Sequence, residues 1–192
     1  MRKYSFVIIM LTTLLVACGG KKTTNNIKDT SQQNLLAEKD IFNKDVVNGF
    51  IYKADKSLQQ EAKRKFLTGI DQYRNRKQID SAITSFKNSL TTFPFAKTYY
   101  ELGNVLMDKK DFKTAIDAYK MSETLEYEPA SLVLYNISCA YSMLENSDES
   151  LKYLQIAIEN GYNHLEHIMS DEDLVFVRKD PNFNETVKTS MA

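Results

Sequence analysis

The sequence has no tryptophan, and its 192 residues include only three prolines, six glycines, two cysteines and two histidines. Neither charge sign is in excess, with 25 basic and 25 acidic residues. Each shortage excludes something. Scarce proline and glycine leave long stretches without helix breakers, and the Lys, Glu, Leu, Ala and Ile that fill them favour helix. A neutral chain lacks the positive surplus of a dedicated nucleic-acid binder. Two cysteines cannot build a disulfide framework. There is no GxSxG, no phosphate-cradling glycine loop and no HExxH, so no catalytic motif is visible and no cofactor is implied. The longest apolar run, residues 6–17 (FVIIMLTTLLVA), is too short for a hydrocarbon core that needs about 20 residues. At this length a single domain is expected.

That apolar run follows Arg2 and Lys3 and has the length of a signal-peptide core. It ends in Leu15-Val16-Ala17-Cys18, which resembles the lipobox of bacterial lipoproteins. The alternative is an ordinary signal peptide followed by a chance cysteine. The resemblance implies that residues 1–17 are removed and that the Cys18 thiol carries a diacylglycerol. At about 0.8 kcal/mol per buried CH₂, two or more chains anchor a protein firmly. Gly19 rather than Asp after the cysteine implies the outer membrane of a two-membrane envelope. Loss of Arg2 and Lys3 leaves 23 basic against 25 acidic residues, a net of −2. Cys139 is then without an intramolecular partner. Residues 18–33 are polar and lack hydrophobic period, the pattern of a tether. Residues 34–61 carry Leu35, Leu36, Ile41, Phe42, Val46, Val47, Phe50 and Ile51 and predict a lead-in helix broken near Asn48 and Gly49.

The body repeats itself. Ala82-Ile83, Ala115-Ile116 and Ser150-Leu151 lie 33 and 35 residues apart, with Phe66, Tyr99 and Leu134 before them and Phe86, Tyr119 and Leu154 after them at constant offsets. Each unit holds two amphipathic stretches around a polar turn. Asp111 and Ser147 are suited to cap the second helices, Pro94 and Pro129 end two units, and Gly161 is suited to a left-handed cap. The pattern resembles the tetratricopeptide repeat, best in the middle unit: Tyr99, Leu102-Gly103, Leu106, Phe112, Ala115, Tyr119 and Pro129. The resemblance implies an all-α helical-hairpin solenoid of about three repeats over residues 62–162. Three departures stand out. Gly69 comes one place early, leaving Ile70 at the small-residue position. Pro129 comes two residues late. Ser138 and Ser150 replace the usual Gly and Ala. Residues 163–192 are expected to cap the array, with a capping box at Ser170 and Asp173, a cap at Asp180-Pro181, and a packing face of Leu174, Val175, Val177 and Phe183; Gly161-Tyr162, Asp173-Leu174 and Pro181-Asn182-Phe183 resemble the segment that closes many bacterial tetratricopeptide arrays.

Function is expected on the concave wall lined by the first helices. The columns predicted there are Arg64, Lys97 and Leu132; Leu67, Tyr100 and Tyr135; and Asp71, Asn104 and Cys139, with Met107 and Met143 beyond. The partner-binding candidates are Tyr100, Asn104, Met107, Leu132, Tyr135 and Met143, with ordinary packing as the alternative at each. A carboxylate clamp is not implied, because Leu67 and Tyr100 stand where lysine is wanted. His164 and His167, beside Glu166, Asp171, Glu172 and Asp173, show no third ligand at metal-site spacing, so no metal is predicted. No base is placed near Cys139, so no catalytic residue is predicted. The Lys63-Arg64-Lys65 run is a solvated face or a contact to anionic lipid. The expectation is a non-catalytic adaptor in the bacterial envelope, held by Cys18 and binding a protein or peptide partner of an envelope assembly. The alternatives are a homo-oligomer paired through residues 34–62, and an envelope enzyme without a recognisable motif.

Overall fold

The structure is a computed structural model that describes residues 35–190; the leader, Cys18 and the tether lie outside the described residues. Among those described, every regular element is helical. A 3₁₀ turn at Glu38–Asp40 leads to α1 (Lys44–Lys53). Three hairpins follow: α2 (Ser57–Ile70) with α3 (Ile79–Thr92), α4 (Ala96–Asp108) with α5 (Phe112–Thr124), and α6 (Ala130–Met143) with α7 (Ser147–Glu159). Among the six hairpin helices, each packs chiefly on its neighbours in sequence, as a solenoid requires. The chain closes with α8 (Leu165–Ser170), 3₁₀ turns at Glu172–Leu174 and Val177–Lys179, and α9 (Phe183–Ser190). The expected all-α helical-hairpin solenoid is therefore the observed fold, its first hairpin beginning at Ser57 rather than at residue 62.

The small residues lie where helix backbones meet. Ala82, Ala115 and Ser150 are fully buried, as are the large residues that follow them, Phe86, Tyr119 and Leu154. The early position of Gly69 has a structural reason. A Cβ there would stand 2.6 Å from the Phe86 ring, and one at Gly103 would overlap the Tyr119 ring in the same way. Gly69 and Gly103 are thus equivalent, and so are Ala62 and Ala96, whose carbonyls accept from Ser89 and Ser122 at 2.8 and 3.0 Å. The first helices of the two units are related by 34 residues, the second helices by 33. The extra residue is taken up by a π-helical turn at Asp71–Asn75, the usual way a helix absorbs an insertion. In the third unit the two serines satisfy one another. The Ser138 hydroxyl donates to the Ser150 carbonyl at 2.8 Å, and that of Ser150 to the Ser138 carbonyl at 2.9 Å.

The turns repeat too. Lys77, Lys110 and Glu145 end the first helices with positive φ, and Glu126 and Gly161 do so after α5 and α7. Four of these five are not glycine, at a backbone cost of order 1 kcal/mol each. Asp111 caps α5 as expected, accepting from Thr114 N–H. For α7 the cap is Asn146, not Ser147; it stands four residues before Ser150, as Asp111 stands four before Ala115.

Both ends are closed by the chain itself. Leu36, Ile41 and Val47 are buried against the first hairpin and α4; Leu36 N–H donates to the Thr91 carbonyl at 2.8 Å, and the Tyr99 hydroxyl to the Ile41 carbonyl. The expected break at Asn48 and Gly49 is absent. Asn43 caps a continuous α1, and the chain bends at Ala54 instead. On α2, Arg64 and Thr68 occupy the positions at which α4 buries Thr98 and Leu102, so its outer face is mostly polar, with Leu67 exposed on it. At the other end Leu174, Val177 and Phe183 are buried on α6 and α7. Val175, expected with them, is 46% exposed, because a 3₁₀ turn does not keep neighbouring residues on one face. The capping role expected of Ser170 belongs to Asp171, which accepts from Asp173 N–H, while the Ser170 hydroxyl returns to the Glu166 carbonyl.

Candidate functional site

The first helices of the three hairpins form one face, and a cleft of about 230 Å³ opens on it. Its lining includes Tyr73 from the π turn, Asn104, Met107 and Asp108 from α4, Asn136 from α6, and Asp173 from the closing segment. Asn104 is the hub. Its carbonyl oxygen accepts from the Tyr119 hydroxyl at 2.9 Å and from Asn136 Nδ2 at 3.3 Å. Asn136 also donates to the Tyr100 hydroxyl. Tyr100 in turn stacks on Tyr127, with ring centroids 4.6 Å apart. Beneath this network the Glu101 carboxylate is buried and held by Arg74 at 2.6 Å. A buried charge so paired fixes the wall, since removing its partner would leave it uncompensated.

Hydrogen bonds and the ion pair hold the side chains of this wall in place, and burial shifts its ionisable groups. Burial pushes the Tyr100 and Tyr119 phenols up. Burial, and then Asp171 and Asp173, push the Cys139 thiol well above its ordinary value, opposite to an activated thiolate. Burial also raises Asp173, helped by Asp171, Asp108 and Glu172. A carboxyl raised on folding weakens the fold above its folded pKa, and that cost disappears once the pH falls below its unfolded value. Asp173→Asn is therefore expected to raise the melting temperature at neutral pH, with the gain shrinking on acidification through the aspartate range. Thermal melts at several pH values check this, and a gain independent of pH would contradict it.

The six sequence candidates do not share one surface. Tyr100, Asn104 and Met107 come together, half-buried, on this wall. Tyr135 does not line the wall. It is 2% exposed, stacked on Tyr162 at 4.0 Å, and donates its hydroxyl to Asp171 at 2.6 Å. The closing segment crosses the first-helix face at the third unit and covers both Tyr135 and Cys139. Leu132 faces a separate cleft with Pro129, Tyr162, His164, Leu165 and His167. Met143 is exposed at the end of α6, next to Ser142, whose hydroxyl accepts from Val177 N–H. The columns assigned to α2 are one residue out of step, because Phe66, not Leu67, is the counterpart of Tyr100. Its ring lies beside Phe86 as that of Tyr100 lies beside Tyr119. Sequence reasoning missed Tyr73, Asp108, Asn136 and Asp173. The one available signal was the extra residue between Gly69 and Ala82, which marks the π turn that carries Tyr73.

His164 and His167 lie against Tyr162, with ring centroids at 5.3 and 6.4 Å, and His167 Nδ1 is 3.6 Å from Asp171. Among the described residues no three His, Cys, Asp or Glu side chains are grouped to hold a metal ion.

Residues 96–125, which are α4, its turn and α5, match the tetratricopeptide repeat family. The chain is also similar to a chloroplastic protein of Arabidopsis thaliana, 38% identical over 61 residues. That segment is 32% of this chain and 18% of the relative, so the chain spans less than a fifth of that protein's length. The chain carries a tetratricopeptide repeat at residues 96–125, set in a helical repeat array.

Proposed function

We propose that the protein is a non-catalytic adaptor of the bacterial cell envelope, anchored in the outer membrane by lipid on Cys18, that holds a peptide segment of a protein partner along its first-helix face. The observation that carries the binding part is the wall of Tyr100, Asn104, Met107 and Asn136, which is open, held by hydrogen bonds and lined by aromatic and amide groups. Half-exposed tyrosines offer contact area at low entropic cost and are enriched among binding hot spots. Amide side chains add hydrogen bonds that an extended peptide backbone can meet. The chain's own Tyr162 and Asp171 cover the third unit's share of this face around Tyr135, so the partner segment is short, lying against the first two units and Asn136. The anchor is supported by the LVAC junction and by Gly19.

Two substitutions test the two halves separately. With Cys18→Ser, fatty-acid labelling and membrane association should be lost and an uncleaved precursor should accumulate; wild-type protein that takes up no fatty acid would refute the anchor. With Tyr100→Ala, the affinity for a partner recovered from membranes should fall by about 1–2 kcal/mol while the melt changes little. Unchanged capture would refute this groove.

A further inference from the structure

The cleft on the first-helix face differs in chemistry from the aromatic wall beside it. At about 230 Å³ it is smaller than the roughly 300–1,000 Å³ that hold a small-molecule ligand, and it suits one long side chain. Its hydrogen-bond donors are engaged within the wall. The Tyr73 hydroxyl donates to Asp108 at 2.7 Å, that of Tyr119 to Asn104 at 2.9 Å, and the Asn136 amide to Asn104 and Tyr100. Acceptors remain. Among the described residues, the Asp173 carboxylate, Asp108 Oδ1 and Asn136 Oδ1 have no protein donor, and all three residues line this one cleft. Nor does a cation pair with either carboxylate among the described residues. Arg74 is paired with Glu101, Lys109 with Asp80, and Arg178 donates to the Asp171 carbonyl. Asp173 instead has Asp171, Asp108 and Glu172 around it. Helix α4 ends at Asp108, so the negative end of its dipole adds to the same field. The free protein carries an electrostatic cost here that an incoming positive charge relieves.

We propose, resting on the groove reading above, that the partner segment carries a lysine or arginine whose side chain enters this cleft and pairs with Asp108 and Asp173. Both side chains bring donors and no acceptor, which matches what the cleft leaves unmet. Tyr73 and Tyr119 line it too, and offer ring surface to the apolar stem and to the cation. Asn136 joins the cleft to the groove, since its amide reaches the Tyr100 hydroxyl. The cation therefore belongs to a segment lying along that face. An acidic side chain or a terminal carboxylate at the same place meets repulsion, so the cleft selects the sign of the partner's charge as well as admitting it.

The test selects peptides from a library of short random sequences on full-length protein in detergent. Peptides retained by wild type and lost with Tyr100→Ala should share a lysine or arginine at one position. A synthetic peptide of the selected sequence is then titrated. Replacing its basic residue by norleucine, or using Asp108→Asn or Asp173→Asn protein, should each weaken binding about tenfold or more. The peptide and protein changes should not add when combined, since they remove the same contact. Added salt should weaken the wild-type complex and affect the norleucine peptide less. Both protein variants remove charge from a like-charged cleft, so their melts should lie no lower than wild type. Tyr100-dependent peptides without a shared basic residue, or a basic residue whose replacement costs the same in wild type and in both variants, would overturn the cleft and leave the groove standing. A library that yields no Tyr100-dependent peptide would overturn the groove, and the cleft with it. A melting temperature raised by calcium or magnesium alone in wild type and not in Asp173→Asn would overturn the side-chain occupant in favour of a metal ion.

Discussion

Tyr135→Ala is expected to cost about 3–5 kcal/mol of stability, the range for removing a buried aromatic. For a chain of this size that corresponds to a melting temperature lower by about 6–20 °C. The ring is almost fully buried and lies flat on Tyr162, with an interplanar angle of 11°. Its hydroxyl holds Asp171, which also caps the turn at Glu172–Leu174. Removing it empties the seam between the third repeat and the closing segment. Tyr135→Phe keeps the ring and loses only the hydrogen bond to a carboxylate, so it should cost about 1.5–3 kcal/mol. Tyr100→Ala, at the equivalent place one repeat earlier, should disturb the fold much less. The same residue type thus has two roles, set by whether the closing segment covers it. A Tyr135→Ala protein that melts with wild type would show that the seam does not hold the array.

Gly103→Ala is expected to destabilise, and Gly49→Ala to stabilise. A Cβ at Gly103 would stand 2.8 Å from Tyr119 Cζ and closer still to two other carbons of that ring. The ring cannot easily yield, because its hydroxyl is bonded to Asn104 and its face lies near Tyr100. Overpacking of this kind costs about 1–3 kcal/mol, against which alanine's better helix propensity returns about 1 kcal/mol. Gly49 is also inside a helix, but a Cβ there meets nothing within 4 Å. Only the propensity gain remains, about 0.5–1 kcal/mol. Denaturant unfolding of the two variants gives the signs. A stabilising Gly103→Ala would show that the helix interface is not packed as described, and a destabilising Gly49→Ala that its Cβ is not free of neighbours.

The periodicity of small and large residues was enough to determine the solenoid. Alanine, glycine or serine where two helices must touch, with Tyr99, Phe86, Tyr119 and Leu154 at constant offsets around them, leaves few ways to bury the apolar faces except by stacking hairpins in order. Asp111 and Gly161 could be assigned for the same reason, since each depends only on local backbone geometry. The resemblance of the LVAC junction to a lipobox rests on the sequence alone, since residues 1–34 lie outside those described. The binding wall was decided by tertiary structure. Which column Tyr73 or Phe66 enters depends on a π turn that shifts α2 by one residue, and a one-residue shift turns a helix by about 100°. Whether Tyr135 faces solvent depends on Tyr162 and Asp171, 27 and 36 residues further on, folding back across it. Repeat pattern says which residues can occupy a face; only the path of the rest of the chain says which of them that face leaves open.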